Sequence, residues 1–333
     1  MALPARDALG RSGGRTRIRT SPAILRRVQL SKLERDIVEV LQKDGRRPYA
    51  QIAREVNAAE KTVRNAVARL EESHAIEITA VTFPDLLGYT GAATCGIRVA
   101  PGYDIRAVAK ELGLVDVINY VAVTAGSFDV FADVVCHNKE SLLSTLDEKV
   151  RSIPGIASVE TFLYLNVTYR SFGFTELLSR VSAGKSPIKL TETDRKIFSE
   201  LSNNGRESYH AIGNRLGVSE SLIRQRVKRA TDAGVLSINA LVNPASLGAD
   251  VLVWVGLKSS KGRAAKLADT LAAWPTASYV AMTAGRFDVF VELACRNEDE
   301  LIRELEAISG LDLVEHTEPF VYLDLQVKAL ILV

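Results

Sequence analysis

The chain has 333 residues, 47% hydrophobic and 25% charged: too long for one ordinary core, with the composition of a soluble globular protein. No apolar run approaches the roughly 18–20 residues a membrane helix needs, so no membrane partner is expected. Net charge is only +2, but residues 1–30 hold seven arginines against Asp7 and carry +6, which leaves −4 for the rest.

Residues 1–29, punctuated by Gly10, Ser12, Gly13, Gly14 and Ser21, are expected to be irregular. They read either as a basic arm for a polyanion or as a solvated leader without a partner, and they lack the apolar stretch of a secretory signal. Cys95, Cys136 and Cys295 are sparse and lack CxxC spacing, which suits a reducing cytoplasm and buried, inert thiols. From Leu30 the pattern is ordered. Leu33, Ile37, Val40 and Leu41 have helical spacing, closed by Asp44-Gly45. A second helix is expected over 49–56, followed by Asn57 in a left-handed turn. A third is expected over 60–72, with Val63, Val67 and Leu70 inward. Three short helices with a tight turn between the last two suggest a helix-turn-helix. The run 76–81 alternates as a strand, either a wing or a connector. Pro84 and Gly88 mark a linker. Beyond it the order is strand (92–99), helix (105–112), strand (117–123), strand (128–136), helix (139–151), strand (159–167). That βαββαβ order is the ferredoxin-like unit with a four-stranded antiparallel sheet. The segment 171–189 reads as a connector holding a short helix at 176–181.

The arrangement then restarts. YVAVTAGSFDVF at 120–131 returns as YVAMTAGRFDVF at 279–290, differing only at Val123/Met282 and Ser127/Arg286. Gly45-Arg46 aligns with Gly205-Arg206, Tyr49 with Tyr209, Pro84 with Pro244, Gly88 with Gly248, and FLYL at 162–165 with FVYL at 320–323. The expected fold class is therefore α+β, a duplicated winged helix-turn-helix plus ferredoxin-like domain. Its divisions are an arm at 1–29, helix-turn-helix units at 30–82 and 190–242, ferredoxin-like units at 89–170 and 249–333, and the linker at 171–189.

In the second copy, Gly217 supplies a turn and Ser219 an N-cap for the following helix. Ser221, Arg224, Gln225 and Lys228 share the face opposite Ile223, Val227 and Ala230. Arg and Gln carry the donors that read guanine and adenine edges, while Lys, Ser and the cap amides suit phosphates. With Arg226 and Arg229, residues 219–233 carry +2. The first copy offers Lys61, Thr62, Arg64, Asn65 and Arg69, but Ala66 and Ala68 stand where Arg226 and Lys228 do. Ala59 replaces the cap and His74 replaces Gly234, and residues 60–72 are neutral. Double-stranded DNA is the expected partner, with the second copy the stronger reader.

The entry LTETDRKIFSELSNNGR, the stretch LGVSESLIRQRVKRATDAGVL, the NPASLG linker and TAGxFD within a βαββαβ domain resemble the Lrp/AsnC, or feast/famine, transcription regulators. The resemblance covers nearly all of residues 30–330, twice over. It implies a cytoplasmic, sequence-specific regulator that oligomerises through its sheets and binds a small effector, often an amino acid, near the TAGxFD turns. Carried onto this chain, it implicates Thr124, Gly126 and Asp129, and Thr283, Gly285 and Asp288. The turn amides would meet a carboxylate and the Asp an ammonium group. The same residues also describe a hairpin whose Asp bonds local amides. Ser127 against Arg286 predicts unequal sites in the two halves. The fused tandem predicts an internal pseudo-dimer within a homo-oligomer, and a ligand that alters the placement of the DNA heads. The alternative is an enzyme, because the sirohaem decarboxylases resemble this family. Their tetrapyrrole handling is associated with His and Arg near the linker, and ITAVTFPDLLGYTG and INALVNPASLGADV contain neither. His74, His137, His210 and His316 show no metal or base–nucleophile spacing, so no metal, no cofactor and no catalytic residue is expected.

Overall fold

A computed structural model of the protein describes residues 19–20, 28–82, 89–169, 188–243, 246 and 248–327. Most of the basic arm, Pro84, Gly88, Pro244 and the connector with its expected short helix at 176–181 lie outside the described residues. Within the arm, β1 (Arg19–Thr20) pairs antiparallel with Val327 and Gln326.

The first helix-turn-helix is α1 (Lys32–Lys43), α2 (Tyr49–Glu55) and α3 (Glu60–Glu72). Ser31 and Glu34 cap α1 reciprocally, satisfying amides that have no partner inside the helix. Asn57 enters α3 through the left-handed region at φ 51°. Strand β2 (Ile76–Thr82) follows. The second copy repeats this as α6 (Glu192–Asn203), α7 (Tyr209–Leu216), α8 (Glu220–Asp232) and β7 (Leu236–Val242), with Gly217 at φ 68° in the turn. Of the two readings of the 76–81 run, the structure takes the connector. β2 pairs along its whole length with β7, from Ile76↔Val242 to Thr82↔Leu236, and does not fold back as a wing. The pairing places both heads on one apolar core, in which Ile37, Leu41, Val63, Val67 and Leu70 join Ile197, Phe198, Leu201, Ile223 and Val227. Gly45 donates to the Ile238 carbonyl at 2.7 Å and Gly205 to that of Ile78 at 2.8 Å. A Cβ at either glycine would lie 2.9 Å from those atoms, so the heads could not close on a larger residue.

Each remaining half is βαββαβ. The first comprises β3 (Gly91–Val99), α4 (Ile105–Leu114), β4 (Ile118–Ala125), β5 (Val130–Cys136), α5 (Lys139–Thr145, extended by a π-helical turn Leu146–Val150) and β6 (Ile156–Tyr169). The second comprises β8 (Val251–Ser259), α9 (Ala264–Ala272), β9 (Ala277–Ala284), β10 (Val289–Cys295), α10 (Glu298–Ser309) and β11 (Val314–Val327). The two sheets do not stay separate. Strand β6 pairs with β3 up to Leu163 and with β9 from Leu163 to Tyr169, and β11 divides itself likewise between β8 and β4. The order β11-β4-β5-β3-β6-β9-β10-β8 returns to β11, which closes an eight-stranded barrel.

Alternation along each strand sorts its side chains. Outward residues such as Val130, Ala132 and Val134 pack under the helices of their own half. Inward residues from both halves share a third core of Phe128, Phe131, Phe162, Phe287, Phe290 and Phe320. Gly96 and Gly256 lie against the Phe128 and Phe287 rings, where a Cβ would meet ring carbons at 2.7 Å.

Candidate nucleic-acid interface

Helix α8 forms where the sequence places it. Ser219 sits in an extended N-cap conformation, and its hydroxyl accepts from the Leu222 amide at 3.2 Å. Ile223, Val227 and Ala230 are buried, while Ser221, Arg224, Gln225, Lys228 and Arg229 are exposed. In α3, Lys61, Thr62, Arg64, Asn65 and Arg69 are exposed over buried Val63, Val67 and Leu70. Ala59 caps nothing there, and His74 occupies the left-handed turn at φ 57° that Gly234 fills at φ 70°.

Three of these basic residues are bonded to groups outside their own helix, while Lys228 pairs within it, with Asp232 at 2.8 Å. Arg226 is half-buried and reaches Asp194 of the α6 capping box at 3.4 Å. Arg229 donates to the Lys189 carbonyl at 2.8 Å. Arg69 pairs with Glu34 of the α1 capping box, and the carboxyl is held below its usual range: burial opposes this, and Ser31 and Arg69 outweigh it. Arg226 therefore leaves the face shared by Arg224, Gln225 and Lys228 and ties the recognition helix to α6.

Arg224 and Arg64 are arranged in parallel fashion. Each pairs with a glutamate one turn back, Glu220 at 2.7 Å and Glu60 at 2.8 Å. Each also lies over a tyrosine, Arg224 on Tyr209 at 5.4 Å and Arg64 on Tyr49 at 4.9 Å. Each ring carries a second guanidinium from the other copy, Arg46 on Tyr209 and Arg206 on Tyr49, both at 4.2 Å. Arg46 donates to the Gly205 and Glu207 carbonyls at 2.6 and 3.0 Å, and Arg206 to those of Gly45 and Arg47 at 2.7 and 2.9 Å. Sequence reasoning used Arg46 and Tyr209 only as alignment marks. Their recurrence just ahead of the second helix in both copies was the available signal.

Four of the six TAGxFD residues, the two threonines and the two aspartates, are drawn into local bonds. Thr124 and Thr283 are buried and donate to the Phe128 and Phe287 carbonyls at 2.9 and 2.8 Å. Asp129 accepts from the Val99 amide at 2.7 Å. Asp288 accepts from the Ser259 amide and hydroxyl, both at 2.9 Å, and from Lys258 at 2.7 Å. Burial opposes ionisation of Asp288, but these donors hold its carboxyl below the usual range. Gly126 and Gly285 each face a phenylalanine of the other half: a Cβ would stand 2.7 Å from Phe320 or 2.8 Å from Phe162. The sequence pointed to two separate unequal sites, whereas the structure brings the two turns together at one end of the barrel. Arg286 lies over Phe128 and Phe287 at 5.3 and 4.6 Å and pairs with Glu160 and Glu318. Ser127 bonds the same Glu318.

A second polar group, absent from the sequence-based expectations, lies deeper in the barrel. Asp133 and Glu292 occupy matching positions on β5 and β10 and alternate inward with Phe131 and Phe290. Glu292 accepts from Tyr120, Tyr322 and Ser278 at 3.1, 2.8 and 2.5 Å, and Asp133 accepts from Tyr164 at 2.8 Å. Burial pushes the Asp133 carboxyl up to about 6, with Glu292 adding to the shift and Thr94 and Tyr164 opposing it. Burial, then the Glu292 charge, raises the Tyr120 and Tyr322 phenols well above their usual value. The signal was one acidic residue inside an otherwise apolar strand, FADVVC in one copy and FVELAC in the other. Burial pushes the Cys95 and Cys295 thiols up to about 12, the inert state expected of them. Among the described residues no cluster of His, Cys, Asp and Glu has metal-ligand geometry.

The model of an AsnC-type helix-turn-helix domain matches residues 30–71 and 190–231, and that of a C-terminal dimeric alpha+beta barrel domain of AsnC regulators matches residues 102–171. An uncharacterised HTH-type transcriptional regulator of Pyrococcus abyssi is 34% identical over 143 residues, 43% of this chain and 90% of its own. The regulatory protein AsnC of Haemophilus influenzae is 30% identical over 135 residues, 40% of this chain and 90% of its own. Each relative thus corresponds to one of the two copies here. Among solved structures, the siroheme decarboxylase NirDL superposes with TM-score 0.63 over 88% of this chain and 92% of its own, at 16% identity, a likeness of fold.

Proposed function

This chain belongs to the Lrp/AsnC family of helix-turn-helix transcriptional regulators, and on that premise we propose that it reads double-stranded DNA chiefly through α8. The observation that carries the reading is the capped helix with Ser221, Arg224, Gln225 and Lys228 exposed along one face. Arg224 and Gln225 read base edges, while Lys228 and Ser221 meet phosphates. Helix α3 presents Lys61, Thr62, Arg64 and Asn65 as a weaker second reader, so one chain recognises an asymmetric site. The shared core and the crossed Arg–Tyr stacks hold the heads at one spacing. Control by an effector therefore acts on the pair as one body, or between chains of a homo-oligomer, rather than by spreading the heads apart. The ferredoxin-like barrel is the effector-responsive part, and the chain works in the cytoplasm. The test is fluorescence anisotropy with the protein's own upstream DNA: tight, salt-sensitive binding supports the reading, and affinity no better than for random DNA of equal length overturns it.

The alternative, a decarboxylase acting on a sirohaem-like tetrapyrrole, shares the fold. Six phenylalanines fill one part of the barrel, and two carboxylates in the rest would repel a polycarboxylate substrate. The reading is therefore of a protein that is not an enzyme. A saturable ultraviolet–visible shift on titration with an iron tetrapyrrole would reverse that choice.

A further inference from the structure

We propose that the tyrosine-lined interior between Asp133 and Glu292 is a binding site for a small organic cation that carries a neutral oxygen acceptor, such as an amino alcohol. The site is built from matched pairs: Asp133 with Glu292, Tyr120 with Tyr279, Tyr164 with Tyr322, and Thr94 with Trp254. All of these belong to inward rows of the closed barrel. The rings pair at close range, Tyr120 with Tyr322 at 6.2 Å, Tyr164 with Tyr279 at 6.3 Å and Trp254 with Tyr279 at 5.2 Å. Asp133, Glu292, Tyr120 and Tyr164 point inward yet keep part of their surface accessible, so the interior has room at this level. The contrast is with the phenylalanine layer, whose six rings are all 3% exposed or less.

The chemistry selects the charge of the guest. Three hydroxyls already donate to Glu292 and one to Asp133, so what faces the guest is carboxylate oxygen and ring face. Carboxylates and aromatic faces hold cations and reject anions. The groups that set the state of Asp133 are burial, Thr94, Tyr164 and Glu292, none of them a cation. Trp254 supplies an independent indication. It is 5% exposed, stands opposite Glu292 across the β8–β10 ladder, and its indole N–H meets no acceptor. A buried indole donor ordinarily has a partner. A guest carrying both a cationic nitrogen and an oxygen acceptor satisfies both needs. Thr94, where the other copy has Trp254, leaves the first half the roomier side.

The inference rests on the regulator reading only for its purpose, since the guest would be the effector; binding itself is measured without DNA. Trp274→Phe leaves Trp254 as the sole tryptophan, so fluorescence of the full chain reports on the site. The probes are ethanolamine and choline, with sodium chloride and the neutral choline isostere 3,3-dimethylbutan-1-ol as controls. At least one probe should give a saturable change that both controls lack, and should raise the thermal midpoint of the wild-type chain. Asp133→Asn and Glu292→Gln, near-isosteric and checked for fold by circular dichroism, should each weaken binding at least tenfold. The thermal shift on wild-type protein stands even where a variant fails to fold. No saturable response to either probe, an equal response to the neutral isostere, or unchanged affinity in folded variants would each overturn the proposal.

Discussion

The guanidinium of Arg46 in the first head lies 4.2 Å over the ring of Tyr209 in the second, and Arg206 returns the same contact to Tyr49. Each arginine also satisfies two backbone carbonyls of the opposite head. Burial lowers the pKa of Arg46, with the neighbouring charges of Arg206 and Arg224 acting the same way, although Tyr209 and Asp44 oppose them. The two heads are thus joined by charge-assisted bonds as well as by apolar packing. Arg46→Ala strips two carbonyls of a charged donor and should destabilise the protein by about 2 kcal/mol, a figure typical of hydrogen bonds to charged groups. Urea unfolding checks this, and an unchanged midpoint would show that the stack is idle.

The two recognition helices differ at their caps. Ser219→Ala should lower stability by about 1 kcal/mol because the Leu222 amide loses its acceptor. Ala59 has the same extended cap conformation, φ −74° and ψ 144°, so Ala59→Ser should raise stability by a comparable amount. His74→Gly relieves a left-handed residue and should add somewhat under about 1 kcal/mol, offset in part by the greater freedom of glycine in the unfolded chain. Thermal unfolding of the three variants should therefore shift down, up and up. A fall with Ala59→Ser would mean that the first helix start is constrained by something other than its cap.

On DNA, Arg224→Ala and Gln225→Ala should relax sequence preference by about 1–3 kcal/mol per base contact. Lys228→Ala should weaken all sequences alike and reduce the salt slope by about 1. Arg226→Ala should act through stability, because its guanidinium is turned to Asp194. Anisotropy titrations at several salt concentrations separate these classes. A specific loss at Arg226 with unchanged stability would move that residue to the reading face.

How much of this was legible in the sequence differs by range of interaction. Helix α3 has the ends its apolar spacing predicts, and Asn57 takes the left-handed turn its side chain permits. Both are local decisions, made within one turn of helix. The pairing of β2 with β7 and the division of β6 between β3 and β9 were not legible. Alternation fixes which face of a strand is apolar and leaves open which strand, in which copy, lies beside it. The recognition face was legible because exposed polar residues at helical spacing are a one-dimensional pattern. Arg226 escaped it, since its partner Asp194 is fixed by the packing of α6 on α8. Asp133 and Glu292 were written in both copies, but their inward direction depends on barrel closure.

Asp133 gives the protein a definite dependence on pH. Its folded value, about 6, lies above the unfolded value of 3.8. The neutral form is therefore favoured by folding. Its contribution is fully present below pH of about 4 and is lost as pH rises through 6, a change of up to about 3 kcal/mol. Asp133→Asn should flatten that part of the stability curve and leave the variant relatively more stable at neutral pH. Chemical denaturation at pH 4.5 and pH 7.5 reads the difference; an identical slope in the variant would assign the pH dependence to other groups.

At the TAGxFD glycines, packing and backbone conformation can be told apart. Gly126 and Gly285 abut Phe320 and Phe162 of the opposite half, at distances no Cβ tolerates. Gly126→Ala should therefore destabilise the barrel by about 1–3 kcal/mol, the usual range for an overpacked core. If the glycine serves packing alone, Phe320→Leu should recover part of that loss, because it withdraws the ring carbon that the new methyl meets. The coupling energy from the two single variants and the double variant should then be favourable by about 1 kcal/mol. A glycine held for its backbone conformation, at φ 155°, predicts a different pattern: Gly126→Ala would lose stability whatever stands opposite, and Phe320→Leu would rescue nothing. Unfolding of all four proteins in guanidinium decides between the two, and additive losses would sink the packing account of these turns.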